Sequence, residues 1–272
     1  MFFWKDPTIG LEQELIIVDK NGNPVNKIKW QIASQLVLNL IFEEYPDLIK
    51  KWLVKPELDA CQIELVTRPG KPENVKDELI DIYKAVKKVV EKNLGLKLSW
   101  WVPNQDFDPV CSGSEYYNNI HNFLMRQGIE YRKATNIAGL HLHIEDEAFK
   151  RFVSLSNKVR KAILDGRLDK VLLSKERFDK MQLVVEALVK RWLLDKENPF
   201  ANTIIPYWFK STDEVRKLVF NWGWIIKNYN LVWIKRPGNK YTTEIRTPDS
   251  IAPDNYRDLI KFIDEVFSRF LE

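Results

Sequence analysis

Two glutamates in an apolar stretch raise the first chemical question. They are Glu12 and Glu14 in "TIGLEQELIIVD". The Ile, Leu and Val content, followed by the turn signal Asn21-Gly22-Asn23-Pro24, reads as a β-strand ending in a turn. On a strand, a two-residue spacing puts both carboxylates on one face, close together. Like charges so placed repel, and burying them without a partner is costly. Three further stretches repeat the pattern. "PELDACQIELVTRPG" carries Glu64, with Glu57 seven residues earlier at the lead-in. "NIAGLHLHIED" puts His141 and His143, two of the chain's three histidines, on one strand face. "YTTEIRTPD" does the same for Glu244 and Arg246, with Asp249 just beyond and Arg236 at the turn before.

Each pattern alone has an ordinary explanation. A Glu-x-Glu is usually an exposed strand edge, and a His-x-His is usually a polar face. Glu244 and Arg246 can pair with strand neighbours, and an arginine beside Pro-Gly is by default a solvated loop residue. Together, on four apolar strands, they say more, because several buried carboxylates demand compensating cations. Mg²⁺ is the natural one, since it takes hard oxygen ligands and shares its shell with nucleotide phosphates. The residues therefore point to a carboxylate-lined Mg²⁺ site for phosphoryl transfer, with arginines meeting phosphate or carboxylate groups. No GxxxxGK[ST] or GxGxxG loop occurs, which disfavours a P-loop or Rossmann nucleotide site.

These residues need a scaffold, and the pattern supplies one. Strands are expected near 8–18, 60–67, 96–102, 136–144, 230–235 and 240–247, the last two as a hairpin around Pro237-Gly238-Asn239. Val75, Leu79, Ile82, Val86 and Val89 recur at helical spacing after Pro72, which predicts a helix over 73–93. Ser114 can cap a helix running to about 133. Helices are also expected over 30–44, 146–164, 176–195, 213–228 and 254–270. Without a linker, repeat or low-complexity tract, residues 1–272 read as one α/β domain around one sheet.

The bulk numbers fit. With 272 residues, 45% of them hydrophobic, the chain can bury a large core. No apolar run reaches the roughly 18 residues needed to span a bilayer, and the first residues do not read as a signal peptide, so no membrane partner is expected. Two cysteines are too few for a disulfide scaffold, which makes a reducing cytoplasm the default. A net charge of +4 gives little support to a nucleic-acid surface.

In order, the blocks "TIGLEQELIIVD", "PELDACQIELVTRP", "GLHLHI" and "RPGNKYTTEIRTPDS" resemble the second type of the glutamate–cysteine ligase family, the carboxylate–amine ligases. That family shows G-x-E-x-E, then E-x6-E, then G-x-H-x-H, then R-P shortly before T-x-E-x-R-x-x-D. The resemblance implies an α+β fold like the catalytic domain of glutamine synthetase. Its curved, mainly antiparallel six-stranded sheet carries helices on the convex side. It implies that Glu12, Glu14, Glu57, Glu64 and Glu244, with His141, bind Mg²⁺, or Mn²⁺ in its place. It implies that Arg236 and Arg246 meet the transferring phosphoryl group and the substrate, and that His143 joins them at the nucleotide. The implied reaction is ATP-dependent. A small-molecule carboxylate, typically the γ-carboxylate of glutamate, becomes an acyl phosphate, and an amine displaces phosphate to give an amide.

Two features depart from the family pattern. "DKENPFANTIIPYWFKSTDE" is short where relatives carry a longer segment that shapes the substrate pocket. Trp100 and Trp101 stand where relatives tend to show a Gly-rich, His-containing turn; core packing is the expected role of both, with stacking on a ligand ring as the alternative. Cys61, between Glu57 and Glu64, reads as a small buried filler. Two further classes of function stay open. One is a degenerate member that holds nucleotide or metal without turnover, as a binding module. The other is nucleic-acid binding, suggested by 10 Trp, 9 Tyr and a pI near 8.8. The scatter of Lys and Arg among acids speaks against the latter, so no nucleic-acid partner is expected. Self-association into a homo-oligomer is left open.

Overall fold

A computed structural model describes residues 8–100, 107–126, 128–130, 137–146, 149–168, 173–192, 209–222, 231–235, 242–246 and 249–250. The chain's contacts gather into two compact units. One comprises Gly10–Leu140 and Ser250–Ile260; the other comprises Met1–Ile9, His141–Asp249 and Lys261–Glu272.

The Gly10–Leu140 unit is built on β1 (Ile9–Val18), which enters it at Gly10. β1 pairs antiparallel with β5 (Gln62–Val66) and with β6 (Lys97–Ser99), while β5 also pairs with β4 (Val54–Pro56). A two-strand ribbon, β2 (Lys27–Ile28) with β3 (Gln31–Ile32), leads into helix α1 (Ala33–Glu44). Helices α2 (Pro46–Lys50), α3 (Pro72–Leu94) and α4 (Glu115–Arg126) follow. The turn after β1 forms as its residues dictate. Asp19 accepts the N–H groups of Asn21 and Asn23, and Gly22 takes the left-handed backbone, with φ of 88°, that the tight reversal needs.

Alternation along β1 separates two faces. Leu11, Gln13 and Leu15 are fully buried on one, with Gln13 across from Leu65 and Leu15 across from Ile63. Glu12 and Glu14 are half-buried on the other. α3 packs on β5 and β6, and all five apolar positions expected of it, Val75, Leu79, Ile82, Val86 and Val89, are buried. Pro72 opens this helix, and Gly95, with φ of 64°, closes it in the αL conformation. Ser114 accepts the N–H of Tyr117 and so starts α4 as expected.

The other unit holds β7 (Leu140–Glu145, from His141 on), β9 (Thr242–Ile245) and β8 (Val232–Lys235) in that spatial order, both pairs antiparallel. α5 (Lys150–Leu164) packs on β8 and on α7 (Thr212–Trp222). Asp146 ties α5 to the strands: its Oδ2 accepts the Phe152 N–H at 2.8 Å and the Thr243 hydroxyl at 2.8 Å. α6 (Lys175–Trp192) lies between α5 and α7 in the sequence.

The fold is thus α+β with mainly antiparallel strands, and the six strands expected from the sequence all occur. β4 adds a strand at the edge beside β5. Three residues long and ending in Pro56, it carries no alternation long enough to show in the sequence, and an edge is where a strand tolerates proline. The five-residue α2 and the two-residue β2 and β3 escaped for the same reason. α1 starts three residues later than expected, because Trp30 to Ile32 go into the ribbon. The helix expected over 254–270 and the turn at 237–239 lie outside the described residues. No helix among the described residues is long and apolar enough to cross a membrane.

Candidate active site

In the Gly10–Leu140 unit, the carboxylates of the first two sequence blocks converge. Register places Glu14 opposite Glu64, and Glu64 opposite Lys55 of β4. Lys55 Nζ lies 2.6 Å from Glu64 Oε2. Glu57 stands in the turn joining β4 to β5. Its Oε2 accepts the Leu58 N–H at 2.9 Å, and its charge acts on the phenol of Tyr117 from α4. Glu14 is held by its Oε2, which accepts the Gly139 N–H at 2.7 Å and the Gln62 amide at 3.3 Å. Beyond Glu14 the face turns apolar: Ile16, Val18, Cys61 and Ala138 pack together with Phe107.

The electrostatics of this cluster follow from crowding. Burial, and after it the charges of Glu12 and Glu57, push the Glu64 carboxyl well above its ordinary 4.5, even with Lys55 beside it. Burial works against the Lys55 ammonium, but Glu64, Glu12 and Glu57 outweigh it and hold the lysine above its usual range. Burial and the charges of Glu57 and Glu64 likewise raise the Tyr117 phenol. One ammonium therefore does not cancel the crowding around Glu64. A doubly charged cation with a taste for carboxylate oxygen suits such a donor set. Cys61 is fully buried, and burial followed by the Asp59 charge pushes its thiol up, which fits a filler and not a nucleophile.

This crowding predicts the sign of a pH effect. The folded-state pKa of Glu64 lies above the unfolded value near 4.5, so the folded chain holds that proton more tightly. The stability this gives is present in full below the unfolded value and is lost as pH rises through the folded one. In chelator, the melting temperature of the parent relative to Glu64→Gln should fall as pH is raised above about 4.5. A difference that grew with pH would show that Glu64 is ionised and well compensated without metal.

The other unit gathers the remaining blocks around Glu244, which is fully buried on β9 opposite His143. Its Oε1 lies 3.5 Å from His141 Nδ1, 3.7 Å from His143 Nε2 and 3.8 Å from Arg246 Nη1. Arg177 of α6 reaches the same group, with Nη2 3.4 Å from His141 Nε2 and Nη1 3.9 Å from Asp249 Oδ1. Burial raises the Asp249 carboxyl, while Arg177 and the Ser174 N–H at 3.0 Å pull it down.

Every expected site residue among the described ones thus joins a cluster within its own unit: Glu12, Glu14, Glu57 and Glu64 in one, and His141, His143, Glu244 and Arg246 in the other. Arg236 lies outside the described residues, as does Trp101. Trp100 is not a core residue, at 38% exposed; the three-residue β6 ends just before it and leaves it at the surface. Lys55, Tyr117 and Arg177 escaped the sequence reading. Lys55 stands two residues before Glu57, a strand spacing that could have flagged it. Leu173, Arg177 and Met181 are buried at a four-residue period, so Arg177 occupies a position of an apolar stripe. Tyr117 gave no such signal.

The fold is similar to that of two solved ligases. Among solved structures, a bifunctional glutathione synthetase from Pasteurella multocida matches with a TM-score of 0.52 at 14% identity, over 97% of this chain and 38% of its own. A glutamate–cysteine ligase from Francisella tularensis, solved with AMP, matches with a TM-score of 0.50 at 12% identity, over 100% of this chain and 68% of its own. This chain therefore spans well under half of the first protein. The sequence matches no family model and no curated protein.

Proposed function

We propose that the chain is an ATP- and Mg²⁺-dependent carboxylate–amine ligase. It would form an amide through an acyl phosphate, with the γ-carboxylate of glutamate as the preferred acceptor of the phosphoryl group, as in glutamate–cysteine ligases. The observation that carries this reading is the crowding of Glu12, Glu57 and Glu64, which pushes Glu64 up in spite of an ammonium at 2.6 Å. The likeness of fold to the two ligases supports it. On this reading Glu12, Glu14, Glu57, Glu64 and Glu244, with His141, are the Mg²⁺ ligands of one catalytic domain. Mg²⁺ there would neutralise phosphate oxygens and hold the phosphoryl acceptor in line.

The protein's own groups have distinct tasks. The glutamates hold metal and are not nucleophiles. Lys55 keeps the crowded carboxylates tolerable in the absence of metal. Arg246, beside Glu244, offers a fork of N–H donors to phosphate oxygens, and Arg236 is assigned to a phosphate or to the substrate carboxylate. His143 is assigned to the nucleotide.

The deciding assay measures phosphate release from ATP with Mg²⁺ and pools of amino acids and amines. Release that depends on both a carboxylate and an amine supports the ligase. Nucleotide binding without turnover supports a binding module instead, and retention on nucleic acid that weakens with salt supports the third class. A second measurement is independent of substrate. Mg²⁺ or Mn²⁺ should raise the melting temperature, because ligand at a hundred times its dissociation constant adds about 2.7 kcal/mol. A melting temperature indifferent to millimolar metal would count against the assignment.

A further inference from the structure

Gln62 has no task in the proposed reaction, yet it is only 4% exposed and its amide nitrogen is committed twice. Nε2 donates to the Ile137 carbonyl at 2.8 Å and to Glu14 Oε2 at 3.3 Å. Both partners are acceptors, which settles the end of the amide that faces them: the amide oxygen there would meet two acceptors. Glu14 is held from other sides as well. Its Oε2 accepts the Gly139 N–H at 2.7 Å. Its own N–H donates to the Gly139 carbonyl at 2.9 Å, and its carbonyl accepts the Ser250 hydroxyl at 2.9 Å. All of these residues belong to the Gly10–Leu140 unit with its Ser250–Ile260 segment. Register puts Glu14 opposite Glu64, and Gln62 stands two residues from Glu64, so strand geometry turns the three side chains to one face.

We infer that Gln62 is a positioning residue and a determinant of cation choice: with the Gly139 N–H it engages Glu14 Oε2, so that Glu14 meets a cation through its other oxygen alone. This rests on the metal-dependent ligase reading, in which Glu14 is a ligand. A carboxylate oxygen has about two lone-pair directions. On Glu14 Oε2 two N–H donors take them, and a cation approaching that oxygen has to displace one. Oε1 is then the oxygen on offer, in an orientation set before the cation arrives. Mg²⁺ demands a near-octahedral set of single oxygens at short range, and Mn²⁺ suits the same set. Ca²⁺ gathers about six to eight oxygens and often takes both from one carboxylate. A Glu14 confined to one oxygen therefore favours the smaller ions. The support works as the hydrogen-bonded partners of metal ligands do elsewhere, orienting a group that does the binding. The competing account is that Gln62 only ties β5 to the segment before β7.

Mn²⁺ binding, followed by the paramagnetic signal of the free ion with Mg²⁺ and Ca²⁺ as competitors, separates the two accounts without turnover. The parent should bind Mn²⁺ and release it to Mg²⁺ at lower concentration than to Ca²⁺. Gln62→Met keeps the bulk and loses both donors. It should weaken Mn²⁺ and Mg²⁺ binding about tenfold or more, the range for losing a ligand's outer support. Ca²⁺, which can use the released oxygen, should weaken less, so the preference for Mg²⁺ narrows. Gln62→Asn is too short to span both acceptors and should act the same way; it serves where Gln62→Met does not fold. A folded variant that binds Mn²⁺ with parental affinity would overturn the inference, and so would equal weakening of all three ions. A parent that takes Ca²⁺ as tightly as Mg²⁺ would overturn it too. Each of these results leaves the ligase reading in place. A parent that binds no Mn²⁺ ends that reading, and the inference with it.

Discussion

Arg246→Lys is expected to fold with nearly the parental melting temperature and to turn over roughly a hundredfold more slowly, the scale of losing one transition-state donor. Arg246 follows Glu244 by two residues, so strand geometry sends both side chains the same way. Its Nη1 lies 3.8 Å from Glu244 Oε1, and its side chain keeps 24% of its surface. The contact is too long for a fork-to-fork pair, and the exposure leaves room for a substrate oxygen. A guanidinium so placed can give two hydrogen bonds to phosphate oxygens as charge redistributes, whereas an ammonium keeps the charge and loses the fork. Rate should suffer more than ATP affinity. The competing idea is that Arg246 only neutralises Glu244 in the sheet. In that case Lys should lower the melting temperature, and the remaining activity should track the folded fraction. A well-folded variant with parental turnover would remove Arg246 from the chemistry.

What the sequence disclosed follows from how strands and helices write themselves into it. A two-residue period survives any tertiary context, so the common face of Glu12 and Glu14, and that of Glu244 with Arg246, could be read directly. The five-position stripe of α3 was legible for the same reason. Tertiary neighbours leave no such trace. Lys55 became visible as the partner of Glu64 only once β4 was seen to pair with β5. Arg177 lies among charged residues in "KERFDK", which reads as a solvated helix start, yet it is buried against His141.

Glu64→Gln is expected to separate stability from function in opposite directions. Removing this charge relieves repulsion with Glu12 and Glu57, while the amide oxygen still accepts from Lys55 Nζ, which is 2.6 Å from Glu64 Oε2 in the parent. In chelator, as pH rises above about 4.5 and the cost of ionising a buried carboxyl grows in the parent, the variant should melt at or above the parental temperature. With Mg²⁺ or Mn²⁺ the order should reverse. The parent gains from metal binding, and the variant, with one hard anionic ligand fewer, gains far less. Turnover should drop at least a hundredfold, on the scale seen when a preorganised electrostatic contact is lost. A merely structural Glu64 predicts otherwise: breaking a buried ion pair leaves Lys55 poorly matched, so the variant should melt lower with and without metal, by an equal amount. The crossing of the two stability orders on metal addition is therefore the decisive signature. If the metal-dependent shift survives intact in Glu64→Gln, the acidic cluster around β1 and β5 is not where the cation binds.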